Sequence, residues 1–432
     1  MAHMTIKTRR MCFETWLRTH TSRLIFHTGL YLLLRCLQRP RILVLAYHRV
    51  TPPEQEPHWD YPHRTVTTTT FERQLRSLRH LYRFVSMQEL QDILESKKPL
   101  RRHVALVTFD DGYRDNYEHA LPILKQHGVP AAFFLSLGFV GERRNFWFDR
   151  LADACRVWES GDPKRARLRS LLPAPLAAIF EARSPRAERL QRAVQFVARL
   201  PVQERRALLK RLTPEPQNAE HEQSQALTWT EVRQLREQGM SIGAHGLTHT
   251  TLTRMSTENA KRELGESIAG VARGSGAPVV AFAYPHGATD ADVAQWASEA
   301  GVRLGFTLEP RENQLGDDPM RLGRHNICEQ TSRAANGGFS AALFACTLAG
   351  WVGKRRKQRA ASVHATGALV FDLNWTGPQE VSAGSAHLRI DPTPAAETSP
   401  AARVEGQSVT KPARVPRPLP VKSVTTPRAR RL

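Results

Sequence analysis

Short apolar runs alternate with stretches of helical periodicity between Ile42 and Leu308, and this alternation restricts the chain to a parallel sheet covered by helices. The runs are Ile42–Ala46, His103–Phe109, Ala131–Leu135, Met240–Ala244, Val279–Ala283 and Gly305–Leu308. Helices are expected over Thr70–Leu81, Met87–Lys97, Asn116–Gln126, Ser256–Gly274 and Ala291–Ala300, with Gly128 as the stop of the third. Two runs end in polar clusters. Val104–Val107 leads into Thr108-Phe109-Asp110-Asp111-Gly112-Tyr113, and Met240–Ala244 leads into His245, with His249 four residues on. Ends of parallel strands are where α/β folds collect catalytic groups. One Asp with two His makes a three-ligand site for a zinc-like ion with room for water, while the neighbouring carboxylate stays free to move a proton. Taken singly, Asp-Asp-Gly reads as a polar turn and a His pair at this spacing arises by chance. Together, each closing an apolar run, they point to a metal-dependent hydrolase.

These residues resemble the motifs of the polysaccharide deacetylases, the NodB-homology group also called carbohydrate esterase family 4. That family's T-F-D-D-G stands here as Thr108 to Gly112, and its H-[S/T]-x-x-H as His245-Gly246-Leu247-Thr248-His249. Its F-x-Y-P-x-G is Phe282-Ala283-Tyr284-Pro285-His286-Gly287, and its early Y-H-x-V is Tyr47-His48-Arg49-Val50. Leu227-Thr228-Trp229-Thr230 is similar to the helix start before the second motif. The resemblance covers residues 42–142 and 226–330. It implies a distorted (β/α) barrel of the NodB type, typically seven-stranded, in the α/β class.

The resemblance also implies roles. Asp111, His245 and His249 would hold a divalent metal, Zn²⁺ first, although this donor set also accepts Co²⁺, Ni²⁺ or Fe²⁺. Asp110 would be the general base, and the backbone N–H of Tyr284 would stabilise the oxyanion. Tyr113 and Pro285 would border the substrate. Members carrying the Y-H motif use that His as general acid, which favours His48; His325 is the alternative. The chain departs from the family in three ways. Gly246 replaces a Ser or Thr, the R-x-P-Y arginine is absent with Arg324 as its candidate substitute, and His286 replaces an aromatic and reads as a rim residue. The implied reaction is removal of N-acetyl groups from amino sugars of a polysaccharide or lipid-linked glycan, as in exopolysaccharide systems. O-deacetylation, deformylation or amide hydrolysis of a smaller substrate uses the same chemistry. A noncatalytic glycan- or membrane-binding protein on this scaffold is the alternative from another class, and intact Asp110, Asp111, His245 and His249 speak against it.

Composition divides the chain. Residues 1–41 form a basic segment expected to be helical, residues 42–352 the barrel with a helical insert over about 143–226, and residues 353–432 a basic, Pro- and Ala-rich tail expected to be disordered. The net charge of +21 lies mostly at the ends. Residues 1–46 hold eight Lys/Arg against Glu14 alone, and residues 353–432 hold fourteen against five acids. Such ends contact anionic lipid or nucleic acid without reading sequence, or serve only as solvated tails; specific nucleic-acid recognition is not expected. Leu24–Leu34 is too short to span a bilayer and is followed by no cleavage site for a signal peptide. A basic amphipathic helix on a membrane surface and a helix packed on the domain both remain open. Cys12, Cys36, Cys155, Cys328 and Cys346 are scattered and odd in number, which argues against a disulfide framework or a zinc knuckle. A cytoplasmic protein, with or without peripheral membrane contact, is the expectation. Within the insert, Phe146-Trp147-Phe148-Asp149 reads either as docking core or as an aromatic platform for a sugar.

Overall fold

The computed structural model describes residues 6–54, 64–96, 98–141, 146–159, 164–212 and 225–351, and side chains from Phe13 onward, with those of Lys164 and Arg165 also excepted. The expected tail over residues 353–432 lies outside the described residues.

The strands are β1 (Ile42–Tyr47), β2 (Arg49–Thr51), β3 (Thr65–Thr67), β4 (Arg83–Phe84), β5 (Val104–Phe109), β6 (Ala131–Leu135), β7 (Ser241–Ala244), β8 (Ala281–Ala283), β9 (Leu304–Phe306) and β10 (His325–Asn326). The main sheet runs β10-β1-β5-β6-β7-β8-β9, with β4 beside the start of β5, and every pairing is parallel. β2 and β3 form a separate parallel pair. The sheet curls towards closure. Leu322 bridges Phe306 of β9, and three residues later β10 pairs with β1, so residues 322–326 span the seam.

All six apolar runs form strands, with ends within about two residues of the expected ones. β10 went unrecognised because it is two polar residues long, and its place is set by β1 rather than by local propensity. Alternation along each strand builds two layers. Ile42, Val44, Val104, Leu106, Ala132, Phe134, Ala281, Ala283, Leu304 and Phe306 fill the barrel interior. The intervening Leu43, Leu45, Val107, Phe109, Phe133 and Leu135 pack outward under the helices.

The helices are α1 (Ile6–His27), α2 (Leu30–Leu37), α3 (Thr68–Arg79), α4 (Met87–Ser96), α5 (Leu121–Gln126), α6 (Trp147–Glu159), α7 (Lys164–Leu171), α8 (Ala174–Glu181), α9 (Arg186–Ala198), α10 (Val202–Leu212), α11 (Trp229–Glu237), α12 (Thr257–Ser275), α13 (Ala291–Glu299), α14 (Glu329–Ser332) and α15 (Ala341–Leu348). Thr228 caps α11 in a reciprocal box with Glu231, each satisfying a backbone N–H that the helix start leaves open. α6 to α10 make up the insert and share their own core, which joins the barrel through Tyr113 and Ala226. Phe146, Trp147 and Phe148 are buried in that core, which settles the aromatic run as docking core. Gly29, at φ 74°, breaks the apolar run of the N-terminal region into α1 and α2. None of the described helices is long and apolar enough to cross a membrane.

Candidate active site

Strand parity brings the site together. Val104, Leu106 and Thr108 point into the barrel, so Asp110 continues on the interior face where β5 ends. A Cβ on Gly243 of β7 would strike the ring of Phe134 inside the barrel, so His245, two residues on, also projects inward. Tyr47 pairs with Phe109, which sets His48 level with Asp110 on the neighbouring strand.

Asp111 leaves this alternation through a positive φ of 74°. Among the described residues the non-glycine positions with positive φ are Asp111, His249 (53°) and His286 (60°), all at this site. Left-handed backbone in such residues costs roughly 1–3 kcal/mol each and persists where the surroundings impose it. Here it turns Asp111 and His249 towards each other. His249 Nε2 lies 3.1 Å from Asp111 Oδ1, and His245 Nε2 lies 3.5 Å from the same oxygen. All three side chains are buried.

The donor set fits a cation. His245 donates its Nδ1–H to the carbonyl of Ala283 at 2.7 Å, which turns its Nε2 towards the Asp111 carboxylate. Two imidazole nitrogens and a carboxylate oxygen converging in a buried site suit a cation between them. One atom each from Asp111, His245 and His249 falls within 4.8 Å of the others, a spread that one ion can bridge. Burial opposes ionisation of Asp111, yet His249 and His245 hold its carboxyl well below the usual range.

Asp110 is held differently. Arg324 grips both its oxygens, Nη1 to Oδ1 and Nη2 to Oδ2, each at 2.7 Å. The guanidinium is itself fully buried, donates further to Thr108 Oγ1 and the Thr307 carbonyl, and lies over the rings of Phe134 and Phe306. Burial would raise the Asp110 carboxyl, but Arg324 outweighs it and keeps the group below its ordinary value. His48 is buried, and its Nδ1 has no hydrogen-bond partner. Burial first, and Arg64 second, push it down to about 4, so the ring is uncharged at neutral pH.

Five residues expected at or beside the site are placed as follows. His325 does not join the site: it follows Arg324 directly, so it projects to the opposite side of its strand, and Glu312 is the charged group acting on it. The Tyr284 N–H is taken by the carbonyl of Phe306 at 3.0 Å, so it cannot serve an oxyanion without opening the sheet. The Tyr113 hydroxyl donates to Asp149 at 3.1 Å, and its ring packs on Phe146 and under Arg49, within the insert's core rather than along a substrate path. His286, read as a rim residue, stacks edge-on to His249 with centroids 4.6 Å apart, and its Nδ1 is closed off without a partner. Pro285 is buried, and its Cγ would meet a Cβ on Gly246 at 3.2 Å, so it packs on the second-motif loop.

Three contacts of the site were not expected from the sequence. Arg64 reaches Asp111 Oδ2 at 3.4 Å while lying over the ring of Phe148. Phe148, from the insert, meets His249 edge-on at 5.4 Å. Glu263, on α12, accepts from the backbone N–H of Leu247 (3.0 Å) and the hydroxyl of Thr248 (2.9 Å), pinning the loop between the two histidines. Phe148 stood out in the sequence within an aromatic run, without its link to His249; Arg64 and Glu263 lie in no motif, so no local signal pointed to them.

A family model described as polysaccharide deacetylase matches residues 97–167 and 188–305. A poly-β-1,6-N-acetyl-D-glucosamine N-deacetylase of Staphylococcus aureus is 32% identical over 109 residues, 23% of this chain and 37% of that protein. YxkH of Bacillus subtilis is 36% identical over 61 residues, 14% of this chain and 22% of that protein. The chain thus spans between about a fifth and two fifths of the length of these curated relatives. Among solved structures, IcaB from Ammonifex degensii aligns with a TM-score of 0.45 at 21% identity, covering 71% of this chain and 98% of that one. A Streptococcus pyogenes deacetylase, PplD, aligns with a TM-score of 0.45 at 18% identity, covering 69% and 97%.

Proposed function

The chain belongs to the polysaccharide deacetylase family, and we propose that it hydrolyses N-acetyl groups on the amino sugars of a polysaccharide. The observation that carries this reading is the unequal treatment of two adjacent carboxylates. Asp111 faces two imidazoles across a gap that suits an ion, while Asp110 is locked in the plane of a buried guanidinium. Asp111, His245 and His249 are the residues that would hold a divalent metal, with zinc our first choice. Such an ion supplies Lewis acidity that brings the pKa of water towards roughly 7.

The chain's own residues then divide the proton work. Asp110, kept ionised by Arg324, accepts a proton from the attacking water. The two parallel hydrogen bonds fix its plane, so little reorientation is needed at the moment of attack. An amine leaving group needs a proton, and His48, level with Asp110, is the side chain placed to bring one. Because it enters uncharged, it must first take up a proton from solvent as negative charge grows on the substrate oxygen; it then gives that proton to the leaving amine, and Asp110 returns the proton taken from water to solvent. The N-acetylated glycan assignment draws on what the S. aureus relative's name says it acts on.

The test pairs metal analysis with acetate release from chitooligosaccharides, poly-N-acetylglucosamine and lipid-linked amino sugars. Asp110→Asn is expected to keep its metal and lose turnover by about 10²–10⁴-fold, whereas His245→Ala loses both. Deacetylation that survived in a clean Asp110→Asn preparation would remove Asp110 from the role of base.

A further inference from the structure

We propose that the outward face of the α1–α2 hairpin docks on an anionic lipid bilayer. α1 packs Ile25 and Phe26 on the domain yet also turns large apolar side chains to solvent. Thr19 and Ser22 are buried against the domain, where Thr19 Oγ1 accepts from the backbone N–H of Ala335. Phe13, Trp16, Leu17 and Leu24, spaced i, i+3, i+4 and i+11, point outward with relative exposures of 61, 48, 48 and 66%.

α2 continues the surface. Tyr31 and Arg35 face inward, while Leu30, Leu33, Leu34 and Leu37 form an i, i+3, i+4, i+7 stripe, and Leu37 is 76% exposed. Among the described residues, every large hydrophobic side chain that is exposed lies between Phe13 and Leu37. Water does not favour such a face, and its concentration on one hairpin marks a surface that something covers.

Charge selects the occupant. Arg18, Arg23 and Arg39 are exposed beside the apolar stripe, and Glu14 is the sole acid among the first 46 residues. Apolar side chains that enter the acyl boundary, bordered by arginines that meet phosphate headgroups, match an anionic bilayer surface. A second copy of this chain would instead bring one strongly cationic face against another. Neither helix of the hairpin is both long and apolar enough to span a membrane, so the contact is peripheral.

Both helices are anchored to the domain, which leaves the apolar face turned outward. Arg35 of α2 is buried in hydrogen bonds to Glu312, Tyr82 and His103, and α1 is held through Thr19 on Ala335 and Ser22 on Cys346. Bilayer binding is read without turnover and stands apart from the proposed activity.

The experiment floats the full chain with vesicles of phosphatidylcholine and phosphatidylglycerol in equal parts, and with phosphatidylcholine alone, at low and high salt. Binding is expected on the anionic vesicles, with L33S/L37S and R18E/R23E each lowering the bound fraction by about tenfold or more. The basic tail is present in every variant, so if it alone were responsible L33S/L37S would float like the parent, and the proposal would fail. It would equally fail if the parent stayed unbound, or formed a dimer that L33S/L37S splits into monomers.

Discussion

Single residues decide the chemistry through what lies next to them. His48 and His325 are both buried and both pushed down to about 4, so titration alone does not separate them. Position does: His48 senses Asp110, Asp111 and His245, whereas Glu312 is the charge acting on His325. Replacing His48 with Ala is expected to lower kcat at least tenfold more than His325→Ala does; the reverse ranking in acetate-release kinetics would transfer the acid role. Asp149 offers a pH test. Burial pushes its carboxyl up to about 7 against the opposing pull of Arg49. The folded state therefore holds this proton between about pH 4 and 7 while the unfolded chain releases it, so the contribution to stability is full in acid and falls as pH rises through that window. Asp149→Asn keeps an acceptor for Tyr113 and removes this loss. Its thermal midpoint should gain on the parent by several degrees more at pH 8 than at pH 5, and parallel midpoints at both pH values would refute the assignment.

At the scale of elements, the strands act as rulers. Gly243 is the interior position of β7 that carries no side chain, and a Cβ there would lie 2.5 Å from Phe134 Cδ1 and 2.9 Å from the Ala281 carbonyl. Gly243→Ala should destabilise the protein by about 1–3 kcal/mol through overpacking. Because His245 lies two residues on, retention of a divalent metal at the proposed site should fall with it, and urea unfolding together with metal content reads both. The π-turn at Asn116–Ala120 has a similar aiming role: Asn116 Nδ2 donates to the His48 carbonyl at 2.7 Å, tying the segment after the first motif to the end of β1. Sequence periodicity shows this segment as one helix over Asn116–Gln126. The widened first turn depends on a partner on another strand.

Across the whole molecule, the N-terminal hairpin is held by few groups. Arg35, 5% exposed, pairs with Glu312 at 2.8 Å, and Tyr82 donates to the same carboxylate at 2.6 Å. Arg35→Met leaves Glu312 buried without its cation, a loss of about 3–5 kcal/mol. Hydrogen exchange should then show α1 and α2 losing protection while β1 and β5 keep theirs, since the barrel core does not run through the hairpin. Uniform loss of protection would mean that the hairpin is part of the barrel's cooperative unit.

The amino-acid order alone determined the parallel α/β character and the principal strands, because runs of buried residues between helical stretches admit few other arrangements. It also marked Asp110, Asp111, His245 and His249, since each stands where an apolar run stops. What it could not convey is pairing over long separations. Arg324 meets Asp110 across 214 positions, and its choice of partner depends on which strand closes the curl of the sheet. Arg64, Phe148 and Glu263 reach the site only after the insert has docked and the second-motif loop has folded onto α12. Where Tyr113, the Tyr284 amide and His325 point was equally out of its reach: a side chain's direction and an amide's partner are consequences of strand register and packing, and these exist only in the assembled fold.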